Sequence, residues 1–202
     1  MMIYAKNTML IEPKNNESKK DDVPPKLDIN EIAKSDNIFV KHYLQTTGLC
    51  GPASLKILLS NFGKTYSEEE LAKLAGATVE QGTEHESMIS TVKELNGFVF
   101  VKEKGTIEEI EYFIKKEKLP VIIGWFDEDE DHYSVVVNVT DKNIIICDPQ
   151  KNEVTRWLDR SVFPRIWFDF IGKENTIVSW RWYMVVTFEK RKFSEIKGGH
   201  YY

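Results

Sequence analysis

The hydrophobic pattern of the chain changes at Pro120, and this change constrains the fold more than any other feature of the sequence. Before Pro120, apolar residues recur at helical spacing behind Ser or Thr residues that stand three positions ahead of a Glu, the spacing of a helix capping box. After Pro120, short β-branched and aromatic runs alternate with turn residues, as in strands. Helices therefore come first and strands after, which predicts an α+β class with a largely antiparallel sheet.

Four helix starts and four strands can be placed on this pattern. Capping boxes occur at Ser67–Glu70, Thr83–Glu86 and Thr106–Glu109. A further helix is predicted from about Gly51 to Gly63, because Leu55, Leu58, Leu59 and Phe62 form one apolar stripe. Strands are predicted over 121–126, 132–139, 144–147 and about 181–188, and 149–180 is expected to be a loop-rich cover with a helix or two.

The length of 202 residues fits one medium-sized domain. Residues 12–28 are polar and include Pro24-Pro25, so they cannot bury enough apolar surface to fold by themselves. We therefore predict a flexible or loosely attached segment over 1–37, a compact domain over 38–189 and a flexible C-terminal tail over 190–202.

Charge and hydropathy exclude several classes of protein. Lys and Arg number 27 against 32 Asp and Glu, giving a net charge of −5, which argues against a nucleic-acid partner. The sequence has neither the apolar core of a secretory signal nor a stretch long enough to span a bilayer. We therefore expect a cytoplasmic protein that is not integral to a membrane.

Cys50 lies at the predicted start of the first amphipathic helix, within the run Gln45-Thr-Thr-Gly-Leu-Cys50-Gly-Pro-Ala. The unpaired N–H groups and the dipole at a helix start stabilise a thiolate. Gln45, five residues upstream, can direct an amide donor at an acyl oxyanion, together with the backbone N–H of Cys50. On the cysteine alone, a buried structural role is the competing interpretation.

His132 and Asp148 are the candidate partners of this cysteine. His132 begins one predicted strand, and Asp148 follows the next one in Ile-Ile-Ile-Cys147-Asp148-Pro149. If the strands pair through their short turn, both residues lie at the same end of the hairpin. There, the carboxylate can hold the imidazole in the tautomer that faces a thiol. Taken singly, His132 could instead be a strand-edge residue and Asp148 a turn former.

The combined pattern resembles the papain-like cysteine peptidases, in particular the double-glycine-leader (bacteriocin-processing) peptidases of family thirty-nine and their stand-alone relatives. In those proteins, a Gln precedes a Cys-Gly-Pro-Ala-like helix start, and a His-Tyr strand and an Asp-Pro complete the site. Here the matching residues are Gln45, Cys50, His132-Tyr133 and Asp148-Pro149. The resemblance spans about Ile38 to Pro149.

The resemblance implies a papain-like fold and a role for each matching residue. Cys50 would be the nucleophile, His132 the general base and acid, Asp148 the group that orients His132, and Gln45 the oxyanion donor. It also implies a peptide or protein substrate and a transporter or export system as partner. No G-x-x-x-x-G-K-[ST] loop is present, so ATP is not implied and no cofactor is expected. A non-catalytic peptide-binding module and an acyl transferase remain alternatives.

Three other features have two interpretations each. The run Asp127–Asp131 either favours the protonated form of His132 or is a solvated hairpin tip. Cys147 is expected to be a buried strand residue, although a bridge to Cys50 stays open, and the scattered His and Cys residues predict no metal site. The pair Gly198-Gly199 is either a self-cleavage site, as after a double-glycine leader, or part of a frayed tail.

Overall fold

The computed structural model describes residues 38–172 and 176–202, and the predicted flexible segment over 1–37 lies outside these residues. The described helices are α1 (Cys50–Ser60), α2 (Glu68–Ala75), α3 (His85–Glu94) and α4 (Ile107–Tyr112), the last extended by a π-helical turn at Phe113–Glu117. The described strands are β1 (Phe98–Lys102), β2 (Val121–Asp127), β3 (Glu130–Val139), β4 (Asn143–Cys147), β5 (Arg156–Asp159), β6 (Phe168–Ile171), β7 (Ile177–Trp180), β8 (Tyr183–Thr187) and β9 (His200–Tyr201).

Seven of these strands form one antiparallel sheet in the order β5-β4-β3-β2-β8-β1-β9, and β6 and β7 form a separate two-stranded ribbon. This confirms the predicted α+β class. The prediction that all helices precede all strands is wrong at β1, which lies between α3 and α4. Its apolar run, Phe98–Val101, pairs with β8, a partner so distant in the chain that local pattern does not reveal it.

The two faces of the sheet pack against different helices. Because side chains alternate along a strand, Ile123 and Trp125 of β2 join the core that contains α4, whereas Ile122 joins the core that contains α1 and α3. All three side chains are fully buried. The central strands are therefore apolar on both faces, as expected for a sheet covered on both sides.

Two of the three predicted capping boxes are confirmed, with side-chain oxygens of Ser67 and Thr106 accepting the N–H groups of Glu70 and Glu109. The third is wrong, because α3 starts at His85 without a side-chain cap. Thr83 is held elsewhere, since its carbonyl oxygen accepts the hydroxyl of Tyr133 at 3.1 Å.

The segment 149–180 contains strands and one short 3₁₀ turn, Phe163–Arg165, in place of the expected helix or two. The polar and aromatic residues of this segment follow neither helical nor strand spacing clearly. The strands β6 and β7 pair with each other, and β6 lies against β2 and β3. This ribbon therefore borders the end of the sheet that carries His132.

The prediction of a flexible tail over 190–202 is wrong. Phe193 is 3% exposed, and its ring lies 5.6 Å from that of Phe100 and 4.9 Å from that of Phe113. The strand β9 pairs with β1, and the Tyr201 hydroxyl accepts the N–H of Phe193 at 2.8 Å. The aromatic residues of the tail thus complete the core. They also place Gly198-Gly199 at the edge of the sheet opposite β3 and β4.

Candidate active site

Cys50 is the first residue of α1 and is partly exposed. The chain reaches it through a tight loop in which Gly48 has φ +79°, and a Cβ at that position would lie 2.5 Å from the carbonyl oxygen of Val79. Only glycine fits both the conformation and the space. The N–H groups of the first helical turn have no partner within the helix, and Pro52 has none to offer. The thiol therefore lies beside free backbone donors and the positive end of the helix dipole.

The structure places His132 and Asp148 in direct contact, as the predicted hairpin of β3 and β4 requires. The Nε2–H group of His132 donates to Oδ1 of Asp148 at 2.7 Å, and the two residues are 2% and 0% exposed. Because a carboxylate only accepts, Nε2 must carry the proton. The other ring nitrogen, Nδ1, is then the one that can face Cys50.

The thiol of Cys50 lies near enough to His132 to raise the pKa of the imidazole, and both residues line the same cavity. Burial alone would lower the pKa of His132, but the hydrogen bond to Asp148 and the nearby thiol of Cys50 outweigh it and raise this pKa to about 9. The charged imidazole is thus favoured between a carboxylate and a thiol. This is the arrangement needed for a thiolate–imidazolium pair.

Arg156, on β5, connects Asp148 to a further carboxylate. Its guanidinium forms a two-point contact with Asp127, at 2.5 and 2.8 Å, and also donates to Oδ2 of Asp148 at 3.2 Å. The N–H of Gln150 donates to Oδ1 of Asp148 at 3.0 Å. Burial alone would raise the pKa of Asp148, but the hydrogen bond and charge of His132, followed by the bonds from Gln150 and Arg156, lower it. No pattern in the sequence indicates Arg156, because it lies in the segment whose strands are not predicted.

Gln45 is tied to the same end of the sheet by its backbone. Its N–H donates to the carbonyl oxygen of Pro149 at 2.8 Å, and the ring of His42 contacts the carbonyl oxygen of Asp148 at 3.0 Å. The segment before α1 therefore packs directly on the Asp148-Pro149 turn. This brings all four predicted site residues to one region of the molecule.

Cys147 differs from Cys50 in every relevant property. It is 1% exposed and packs in the core between the sheet and α1. Burial, followed by the charge of Asp148, raises the pKa of Cys147 to about 12. Both cysteines are free thiols, so the bridge that the sequence left open is not formed.

A cavity of about 650 Å³ opens beside the thiol. Gln45, Cys50 and His132 line it, together with the loop 79–84 and residues 169–171 of β6. Asp148 does not reach the cavity and lies behind His132. The volume is within the usual range for a small-molecule or peptide side-chain site, about 300–1,000 Å³.

The acidic run divides into buried and exposed residues, so neither simple interpretation of it holds. Asp127 is 4% exposed and binds Arg156, whereas Glu128 and Asp129 are solvent-exposed. Asp131 is partly buried and accepts the N–H of Phe170 at 2.9 Å.

Within the described part of the chain, no group of three or more His, Cys, Asp or Glu side chains is arranged to hold a metal ion. No described helix is long and apolar enough to cross a bilayer.

Comparison with known proteins gives a consistent result. The model of the Peptidase C39 family matches residues 40–171. An uncharacterised protein of Methanothermobacter marburgensis is 34% identical over 132 residues, which are 65% of this chain and 83% of that protein. A C39-like peptidase from Bacillus anthracis superposes with a TM-score of 0.60 at 18% identity, over 78% of this chain and 98% of that one. A double glycine motif protease from an AMS/PCAT transporter, solved with its leader peptide, gives 0.54 at 18% identity, over 75% and 93%. These likenesses confirm the predicted papain-like α+β fold.

Proposed function

The chain belongs to the Peptidase C39 family, and from this membership and the geometry around Cys50 we propose that it is a cysteine peptidase that hydrolyses a peptide or other amide bond. One observation carries the proposal. The buried ring of His132 has Asp148 at 2.7 Å from its Nε2, and it lines one cavity with Cys50, whose thiol stands at a helix start. A nucleophile, a proton carrier and an orienting carboxylate need this order, which supports these roles for Cys50, His132 and Asp148.

In the proposed reaction, the thiolate of Cys50 attacks the carbonyl carbon and forms a tetrahedral oxyanion. The imidazolium of His132 gives its proton to the departing amine as the C–N bond breaks, leaving an acyl group on sulfur. The neutral imidazole then takes a proton from water, and the hydroxide attacks the acyl carbon. The C–S bond breaks, the acid product leaves, and the thiolate–imidazolium pair returns.

Gln45 and the backbone N–H of Cys50 are the proposed oxyanion donors. The side chain of Gln45 lies on the cavity wall with Cys50 and His132. The amide would donate through its Nε2–H group, because its oxygen Oε1 only accepts; Oε1 is buried and has no hydrogen-bond partner among the residues described. Donors fixed before the reaction stabilise the developing charge without reorganisation.

The proposed substrate is a peptide with a double-glycine site, and the proposed partner is an export system that carries the product. Support comes from the C39 family match and from the fold shared with a double glycine motif protease of an AMS/PCAT transporter.

Alkylation with iodoacetamide, read by intact-protein mass spectrometry, tests the nucleophile. The native protein should be labelled once and fast, Cys50→Ala should lose this labelling, and Cys147→Ala should retain it. Hydrolysis of a synthetic peptide that continues beyond its Gly-Gly pair should likewise require Cys50 and not Cys147. Loss of labelling in Cys147→Ala with retention in Cys50→Ala would show that the assignment is wrong.

A further inference from the structure

A second buried His–Asp pair borders the cavity that contains Cys50. The ring nitrogen Nε2 of His85 lies 2.7 Å from Oδ2 of Asp169, and both residues are 3% exposed. His85 is stacked on Trp182, with ring centroids 3.9 Å apart and planes 10° from parallel. One face of this imidazole is therefore covered, and Asp169 is the member of the pair that lines the cavity.

Asp169 has an oxygen without a partner. Its Oδ1 is buried and makes no hydrogen bond to any residue that the structure describes. The hydroxyl of Thr83, which lines the same cavity, is also buried and without a partner among these residues. A buried polar atom that makes no hydrogen bond is costly, most of all on a carboxylate. With Oε1 of Gln45, three such atoms belong to residues that line the cavity, which indicates a place for a ligand that donates hydrogen bonds.

The charge of the cavity wall indicates which class of hydrogen-bond donor the ligand would carry. Six acidic side chains, and no Lys or Arg of the described residues, line the cavity. They are Glu80, Glu84, Asp129, Glu130, Asp131 and Asp169. Burial and the nearby charge of Asp169 raise the pKa of Asp131, although a backbone hydrogen bond from Phe170 opposes them. Asp131 accepts the N–H of Phe170, the residue next to Asp169, so both carboxylates border the same part of the cavity and would attract a cation there.

The fold holds Asp169 rigidly in this position. A Cβ on Gly124 of β2 would lie 2.4 Å from Oδ2 of Asp169, so β6 can approach β2 only because this residue is glycine. Phe126 and Phe168 stack with ring centroids 5.3 Å apart and fix the same contact. A carboxylate fixed in this way loses little entropy when it binds a ligand.

We propose that Asp169, together with Asp131 and Thr83, forms a subsite that binds the positively charged side chain of a Lys or Arg in the substrate peptide. Oδ1 of Asp169 and the hydroxyl of Thr83 accept hydrogen bonds from the ammonium or guanidinium group, and Asp131 supplies the second negative charge. This inference rests on the proposed peptidase function, since it assigns the substrate class of the same cavity.

Positional pools of fluorescein-capped peptides, each with one Gly-Gly pair and six other positions, test the proposal. Each pool fixes Lys, norleucine or Glu at one of six positions, and norleucine matches the Lys stem without its charge. Cleavage by the native protein is followed by mass spectrometry, and binding to the Cys50→Ala protein is followed by fluorescence anisotropy. We expect about a tenfold preference for Lys over norleucine at one position, the effect of one charge-assisted hydrogen bond, with Glu least favoured.

Variants locate the effect. Asp169→Asn should abolish most of the preference and Asp131→Asn should reduce it. Glu128→Gln, on the same acidic hairpin but outside the cavity lining, is the matched control and should retain it. Thermal unfolding verifies that each variant is folded; if Asp169→Asn is not, the Asp131→Asn protein and the Lys, norleucine and Glu pools on native protein decide the question.

Two results would overturn the subsite: equal binding and cleavage of the Lys, norleucine and Glu pools at every position, or a preference that persists in folded Asp169→Asn protein. The outcome is separable from the peptidase proposal. Preferential binding of Lys pools to the Cys50→Ala protein without cleavage by the native protein would support the subsite and contradict the peptidase. Cleavage without charge preference would do the reverse.

Discussion

The substitution Asp148→Asn preserves the shape of the side chain that orients His132 and removes its charge. In the native protein, Oδ1 of Asp148 accepts hydrogen bonds from His132 and from the N–H of Gln150. The amide oxygen of an Asn can accept the same two bonds. The variant therefore keeps both bonds to Oδ1 and removes the charge of a fully buried carboxylate, together with the acceptor Oδ2 of Arg156.

The structure sets the expected magnitude. The difference between a pKa of about 9 for His132 and its ordinary value of 6.5 corresponds to about 3 kcal/mol in favour of the charged ring. Asp148 is the first of the two partners that overcome burial, so its loss should lower this pKa by at least about one pH unit, or about 1.4 kcal/mol. Cys50→Ala, which removes the second partner, should lower it as well.

The raised pKa also makes stability depend on pH. A group with a higher pKa in the folded state contributes its full stabilisation below the unfolded value of about 6.5 and loses it as pH rises through about 9. The native protein should therefore lose up to about 3 kcal/mol of unfolding free energy over this interval. Asp148→Asn should lose less.

Proton NMR measures the titration directly, because the chain has only four histidines. The Cε1–H signal of His132 is assigned by its absence in His132→Gln, and the remaining three serve as internal references. Asp141→Asn, on the exposed β3–β4 turn, is the matched control and should leave the signal unchanged. Urea unfolding at pH 6.5 and pH 9 gives the stability difference.

Two results would refute this reasoning. A native His132 that titrates near 6.5 would show that its two partners do not outweigh burial. An unchanged His132 titration in folded Asp148→Asn protein would show that the carboxylate charge does not hold the imidazolium.

Two further substitutions test the surroundings of the site. Arg156→Gln leaves the carboxylates of Asp127 and Asp148 without their shared cation and should lower the urea unfolding free energy by about 2–3 kcal/mol. This is less than for a fully buried pair, because the Arg side chain is 28% exposed. Arg156→Lys should recover only part of the lost stability, and wild-type stability in Arg156→Gln would contradict the network. Phe193→Ala should cost about 3 kcal/mol in the same assay and leave the rate of Cys50 alkylation unchanged, whereas no loss of stability would mean that the tail does not pack.

The hairpin of β3 and β4 could be predicted from sequence because its contacts are local. A short turn joins β3 to β4, so residues at the start of one strand and just beyond the end of the next must approach each other. The same logic fails for Arg156. Arg156 reaches Asp148 because a further antiparallel strand, β5, pairs with β4, whose own pairing with β3 shifts register between Val136 and Asn138. Neither feature leaves a pattern in the sequence.

Contacts between distant segments account for the other differences. Phe193 packs against Phe100, although most of the domain's sequence lies between them. The hydrophobicity of the tail alone does not reveal a partner so distant in the chain. His85 and Asp169 are 84 positions apart and meet only because β6 lies on β2. The one local indication of β6 would have been a strand-like pattern in 168–171. Aromatic residues on both sides make that pattern hard to recognise.

The two buried His–Asp pairs differ in how many oxygens of the carboxylate have a hydrogen-bond partner, and this difference agrees with the separate roles that we propose for them. Both oxygens of Asp148 are occupied, by His132 and Gln150 on one and Arg156 on the other, as the proposed orienting role requires. Asp169 has one oxygen on His85 and one without a partner among the described residues. Neutralising each carboxylate should therefore have a distinct effect. Asp148→Asn should change the titration of His132, whichever peptide is the substrate. Asp169→Asn should change only which peptides are preferred.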